Sequence, residues 1–193
     1  MLRINFPLVL AFSGRFGSGK TALASYMAVR EASELGCPLW ANFSLRGASP
    51  VRSMDDLYQL RDGILVLDEL QSTIHARTFS KNLAFLDWFD QHRKQGLIFL
   101  YITQELRKVD VLVRDMTDFA ILCTRLDSRY SNIEVWDLYR EKRISTSVFD
   151  RSLSYGLYEH TERAWPIAGA SAAADARARA GNSSSTTTTK KGR

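Results

Sequence analysis

The stretch Phe12–Tyr26, "FSGRFGSGKTALASY", decides the fold. It leaves an apolar run, Leu8–Phe12, crosses a loop with glycines at 14, 17 and 19, and enters a segment with helical spacing. Gly14, Arg15, Phe16, Gly17, Ser18, Gly19, Lys20 and Thr21 fit the phosphate-loop pattern G-x-x-x-x-G-K-[ST]. Glycines let backbone N–H groups turn toward a phosphate, and the following helix presents its positive end. In such a loop Lys20 reaches the outer phosphates and the Thr21 hydroxyl ligates Mg2+. A chance glycine turn would lack the strand before it and the helix after it. The expected ligands are ATP and Mg2+; ATP is assumed over GTP because the chain has no guanine-reading N-K-x-D stretch.

Outward from this loop, helical spacing runs over 19–35, with Leu23, Met27 and Val29 on its apolar side, and Gly36-Cys37-Pro38 stops it. Strands are expected at 38–45, 63–70, 97–104 and 119–126, and a hairpin at 132–139 and 144–150. Ser53 and Asp56 form a capping box for a short helix. The segment 80–96 is a helix capped by Ser80, with Leu83, Leu86, Trp88 and Phe89 as its stripe and Gly96 as its stop. Strands alternating with helices give an α/β fold, a mostly parallel central sheet flanked by helices with a C-terminal β-hairpin extension. Behind a phosphate loop this order is expected of a P-loop NTPase, and the resemblance to a known family given below implies the RecA-like, additional-strand type.

The 193 residues, 45% of them hydrophobic, suit one domain over 1–165 and a disordered basic Ala/Ser/Thr-rich tail over 166–193. No apolar run reaches the roughly 18–20 residues of a membrane span, and the apolar N-terminus enters the glycine loop without a signal-cleavage site. The net charge is +5; the tail carries five basic residues against Asp175, a net +4, so the body is near +1. A basic tail on a near-neutral body fits contact with a polyanion and equally a solvated end. Cys37 and Cys123 are expected as free, buried thiols, and His75, His92 and His160 show no metal-ligand spacing.

Two further elements extend the phosphate site. In "ILVLDEL", the apolar strand ends at Asp68 and Glu69, where parallel strands meet their ligands. Asp68 is expected to hold magnesium through water, and Glu69 to polarise an attacking water. Helix capping is the plainer role for either acid. Thr103 and Gln104 end a strand expected between the loop strand and the acid strand, where the Gln104 amide could touch the γ-phosphate or its water.

With "GRFGSGKT", "WANFSL" with Asn42, "ILVLDELQ", "HRKQG" and "LYITQELRKVDVLVRD" in view, residues 7–130 resemble the FtsK–HerA branch of P-loop ATPases. Within it the chain looks most like genome-packaging ATPases of tailless, membrane-containing icosahedral viruses, and is also similar to Zot-like assembly ATPases of filamentous phages. The resemblance implies an ATP-hydrolysing motor, a homo-oligomeric ring that translocates viral double-stranded DNA into a preformed capsid. Its partners would be capsid vertex or viral membrane proteins, at the virion packaging vertex or in host cytoplasm. Lys20, Thr21, Asp68, Glu69 and Gln104 take the Walker A, Walker B, catalytic and sensor roles. An arginine from the neighbouring subunit would complete the site. Arg114 is favoured, then Arg77, with Arg93 the third candidate; a surface ion pair is the alternative role for each.

The lack of an apolar span favours packaging over Zot-like export, and a structural vertex protein that binds ATP with little turnover is the third possibility. Pore-loop candidates are 125–132 and 139–145, both basic with tyrosines nearby; both also read as ordinary hairpin turns.

Overall fold

The computed structural model describes residues 7–74, 83–159 and 164–170. Its strands are β1 (Leu8–Ser13), β2 (Leu39–Ala41), β3 (Ser49–Pro50), β4 (Ile64–Leu67), β5 (Ile98–Thr103), β6 (Phe119–Arg125), β7 (Tyr130–Asp137) and β8 (Lys142–Asp150). The helices are α1 (Lys20–Leu35), α2 (Met54–Gln59), α3 (Leu70–Thr73), α4 (Leu83–Gln91) and α5 (Val111–Asp115). One eight-stranded sheet runs in the order β3-β2-β4-β5-β1-β6-β7-β8. The first six strands are parallel, and β7 and β8 join as antiparallel neighbours, which is the expected hairpin extension.

The central strands are apolar throughout because both faces are covered. Along β1, Val9 and Ala11 enter one core with α2, α4 and α5, whereas Leu10 and Phe12 enter another with α1. Along β4 the same alternation separates Leu65 and Leu67 from Ile64 and Val66. This period of two fixes the register of β1 against β5, with Leu8 opposite Ile98 and Ser13 opposite Thr103. As expected, β5 lies between the loop strand and the acid strand.

Helix α1 buries Leu23 as expected but differs in the rest of its face. Ala24, Ala28 and Ala32, at i, i+4 and i+8, form the buried seam beside it, and Met27 and Val29 only flank the core. Small side chains let the helix axis approach the sheet closely, which brings the end of the phosphate loop down onto the strand ends. In α4, Phe85 joins Leu86, Trp88 and Phe89 inside, while Leu83 is exposed. The expected cap Ser80 lies outside the described residues, but Gly96 closes the following 3-10 turn, His92–Gln95, with φ 68°. The capping box forms as expected: Ser53 Oγ accepts from the Asp56 amide, and the Asp56 carboxylate accepts from the Ser53 amide.

The strand expected over 38–45 stops at Ala41, because the Asn42 side chain turns to bond the backbone of Asp68 and of Trp165. The packed body also continues beyond the boundary expected at 165. Ile167 and Ala170 are buried in the core with α2, and Ala168 exchanges backbone bonds with Arg52 and Met54. Residues 171–193, the rest of the expected tail, lie outside the described residues. Both cysteines are free; Cys123 is buried and Cys37 half-buried.

Candidate active site

The loop between β1 and α1 takes a shape that only glycine accommodates at two positions. Gly17 (φ 74°) and Gly19 (φ 85°) sit in the left-handed region, and Gly19 caps α1 without a side chain. Gly14 is fixed by a close approach: a Cβ there would lie 2.3 Å from the Cys123 carbonyl oxygen on β6. The positive end of the sixteen-residue α1 therefore faces the loop interior. Lys20, nearly buried at 9% exposure, extends back along the loop with Nζ 3.5 Å from the Arg15 carbonyl oxygen.

Thr21 Oγ1 donates to Asp68 Oδ2 at 2.9 Å, linking the start of α1 to the end of β4. Asp68 Oδ1 accepts from the Glu69 amide at 2.7 Å. Its backbone is clamped by Asn42, whose Oδ1 accepts from the Asp68 amide (2.7 Å) and whose Nδ2 donates to the Asp68 carbonyl (3.1 Å). Burial raises the Asp68 carboxyl pKa; the bonds from Thr21 and the Glu69 amide, and the Lys20 charge, pull it back in part. Glu69 follows in the left-handed region at φ 52°, with its side chain exposed toward the cleft. It stands at the cap position of α3 but makes no side-chain cap bond, so the capping role is not the one it plays.

These groups line one cleft of about 410 Å³. Lys20, Thr21, Asp68, Glu69 and Gln104 all border it, from the start of α1 and the ends of β4 and β5. The Gln104 carbonyl lies 3.5 Å from Ser13 Oγ, tying the end of β5 to that of β1. Arg15 and Phe16 stand on the exposed turn of the loop, and Ser18 is buried beneath it. A hydroxyl and a carboxylate converging beside an open phosphate loop match the hard oxygen donors that Mg2+ takes, one or two from protein and the rest from water and phosphates. Among the described residues no group of three or more His, Cys, Asp or Glu forms an all-protein metal cage. The residues thus fit a magnesium–nucleoside triphosphate, with Thr21 and Asp68 to hold the ion and the Gly14–Thr21 loop to hold the phosphates.

The arginine candidates are not gathered at this cleft. Arg114 lies on α5, whose buried Val113 packs in the core on the other side of the sheet from α1; its Nε is buried without a hydrogen-bond partner among the described residues. Arg93 is held by both Asp118 oxygens at 3.0 and 3.1 Å. Arg77 lies outside the described residues, as do His75 and His160. In the two basic segments, Arg129 pairs with Asp150, Arg140 with Asp137 and Arg143 with Glu134, so much of their charge is neutralised within the chain.

Three contributors had no sequence signal. Arg151, just past β8, donates to the Gly17 carbonyl of the phosphate loop. Tyr155 and Tyr158 follow it along the cleft wall. The Tyr158 hydroxyl is pushed up to about 12, by burial first and by the Asp68 charge second. Asn42 stood out only through the resemblance, and its grip on Asp68 spans 26 residues.

The sequence model described as zonular occludens toxin (Zot) matches residues 48–149, from β3 to β8. The chain belongs to the Zot family. It is 26% identical to the gene 1 proteins of Enterobacteria phages fd and M13, over 60% of this chain and 41% of theirs. The chain thus spans about two-fifths of the length of these curated relatives. Among solved structures it is similar to the N-terminal domain of zonular occludens toxin from Neisseria meningitidis (TM-score 0.62, 18% identity, 80% of this chain and 100% of that one). It is also similar to the genome packaging NTPase of Sulfolobus turreted icosahedral virus 2, solved with sulfate (TM-score 0.57, 13% identity, 76% and 98%). Both likenesses are of fold, and they bear out the P-loop NTPase architecture with its hairpin extension. This Zot-family chain has the P-loop NTPase fold, carries the phosphate-loop pattern over Gly14–Thr21, and has phage relatives. Among its described residues no helix is long and apolar enough to cross a membrane.

Proposed function

We propose that this Zot-family chain is an ATP-hydrolysing motor that moves viral DNA during virion assembly. The observation that carries the reading is the shared cleft: Lys20, Thr21, Asp68, Glu69 and Gln104, from the start of α1 and the ends of β4 and β5, border one space. Thr21 and Asp68 would hold magnesium, which when bound would neutralise charge that builds during transfer. The chain's own residues do the rest. The loop amides and Lys20 bind and orient the triphosphate, Thr21 and Asp68 hold the ion, and Glu69 draws a proton from the attacking water. Gln104, at the end of β5, reports on the terminal phosphate. In a ring, Arg114 of a neighbouring copy is the first candidate to complete the site and Arg77 the second.

Two destinations for the DNA fit such a motor. Membership of the Zot family favours filamentous-phage-type assembly and export. Filling a preformed capsid at a packaging vertex is the second, and would add capsid vertex or viral membrane proteins as partners.

The test is ATP hydrolysis by wild type and Glu69→Gln, alone and with single- or double-stranded DNA. A motor shows turnover that DNA stimulates and that the variant loses. Stimulation by duplex DNA alone supports capsid packaging of a double-stranded genome. Equal, negligible turnover in every arm would overturn the motor and leave an ATP-ordered structural protein.

A further inference from the structure

Arg151 has no place in the phosphate-loop pattern, yet it is the side chain that joins the loop to the C-terminal part of the fold. It follows β8 and opens the 3-10 turn Arg151–Ser154, which packs on α1. Its guanidinium meets three backbone carbonyls. Nη1 donates to Gly17 at 3.2 Å, Nε to Arg129 at 3.3 Å, and Nη2 to Asp127. The last two belong to the turn between β6 and β7, so one fork bridges that turn and the phosphate loop. The stem lies under Gly19, where a Cβ would come within 2.8 Å of Arg151 Cδ.

The Gly17–Ser18 peptide is thereby held from both sides. Arg151 takes its carbonyl, while its N–H, on Ser18, donates to the Arg15 carbonyl at 3.2 Å. That same Arg15 carbonyl faces Lys20 Nζ. A continuous path therefore runs from Arg151 through one rigid peptide plane to the lysine that grips phosphate. All three acceptors of Arg151 are neutral, and among the described residues no carboxylate pairs with it. Its charge lies at the rim of a cleft suited to a polyanion, with the Asp127 carboxylate close enough to feel it but not bonded to it.

We propose that Arg151 is a positioning residue for nucleotide binding: its fork pins the Gly17 peptide against the β6–β7 turn and so holds the loop, and Lys20, in phosphate-receiving geometry. This deepens the ATPase reading of the same cleft and rests on it. A planar fork that spans three carbonyls cannot be replaced by the point charge of lysine. Loss of the pin loosens the grip on the outer phosphates, which the loop holds, and not on a nucleoside monophosphate.

The test uses the full chain with Arg151→Gln and Arg151→Lys, both of which keep a stem beneath Gly19. Binding of fluorescent ATP, ADP and AMP analogues is titrated, thermal melting is recorded without nucleotide, and hydrolysis is separated into kcat and KM. Both variants are expected to melt cooperatively, to lose about ten- to a hundredfold in affinity for ATP and ADP, to bind AMP as wild type does, and to show the change mainly in KM. Wild-type affinity for ATP in Arg151→Gln, or full rescue by Arg151→Lys, overturns the inference. Loss of the cooperative melt in both variants overturns it too, since the role would then be structural. A wild type that binds no nucleotide overturns the ATPase reading itself, an outcome separate from these.

Discussion

Thr21 and Asp68, 47 positions apart, share a 2.9 Å hydrogen bond that joins the phosphate loop to the acid-bearing strand. Asp68 is an acid whose charged form burial opposes, so the Thr21 hydroxyl is its partner here and, in the proposed function, its co-ligand toward the ion. Thr21→Ala should cut phosphate release about a hundredfold, whereas Thr21→Ser, which keeps the hydroxyl, should stay near wild type. A malachite-green assay at saturating ATP and Mg2+ decides it; equal rates in the Ala and Ser variants would remove Thr21 from the site.

Asn42 offers a stability test away from the phosphates. It is 1% exposed, and its amide makes three bonds, two to the Asp68 backbone and one to the Trp165 carbonyl at 3.0 Å. Asn42→Ala strands an amide and two carbonyls inside, a loss of about 2–4 kcal/mol. Asn42→Asp should be worse, since a carboxylate cannot donate to either carbonyl. Urea denaturation followed by circular dichroism measures both; an Ala variant within about 0.5 kcal/mol of wild type contradicts the clamp.

What the sequence displayed, it displayed locally. The phosphate loop, the Ser53–Asp56 capping box and the Asp68-Glu69 strand end are each legible because their physics is complete within a few residues. The hairpin followed from alternation, and β5 from its unbroken apolar run. Arg151 was illegible because its acceptor Gly17 lies 134 residues away and an arginine after a strand carries no pattern. The seam of α1 was legible only at Leu23: hydrophobicity also points to Met27 and Val29, which merely flank the core, whereas a helix close to a sheet selects Ala24, Ala28 and Ala32. Likewise the composition shift near residue 166 set the boundary too early: Ile167 and Ala170 are enough to dock the segment on α2.

His92 gives the fold a pH dependence. The ring is wholly buried and stacks on Phe89; Nδ1 bonds the Phe89 carbonyl, while Nε2 has no partner among the described residues. Burial lowers its pKa, with Arg93 adding to the effect and the Phe89 carbonyl, Asp118 and Asp90 opposing it. The folded chain therefore keeps the ring neutral where the unfolded chain takes a proton. Below an unfolded pKa of about 6.5 the unfolded state binds more protons, so stability falls as pH drops toward the lowered folded value, by at most about 1.4 kcal/mol per pH unit. Unfolding by urea between about pH 5 and pH 8 should show this slope in wild type. His92→Phe should flatten it, while losing some stability at neutral pH because the Phe89 carbonyl loses its partner. Parallel pH profiles in the two proteins would assign the slope to other groups.

Glu69 is held at φ 52° and ψ 42°, a left-handed conformation that a side chain with a Cβ enters at a cost of about 1–2 kcal/mol. The strand-to-helix turn imposes it: the Asp68 carbonyl and amide are fixed by Asn42, the Glu69 amide by Asp68 Oδ1, and α3 begins at once with Leu70 buried. Glycine takes this conformation freely, though it gives up about 0.5–1 kcal/mol in unfolded-chain entropy. Glu69→Gly should therefore melt at or above wild type, by up to roughly 4 °C for a chain of this size. Its hydrolysis should fall as far as that of Glu69→Gln. The Gln variant keeps a Cβ and should melt with wild type, so the pair separates backbone strain from chemistry. Differential scanning calorimetry alongside phosphate release measures both. A Gly variant that melts several degrees lower would mean the Glu69 side chain stabilises the turn, and that its backbone is not held at a cost for the sake of the cleft.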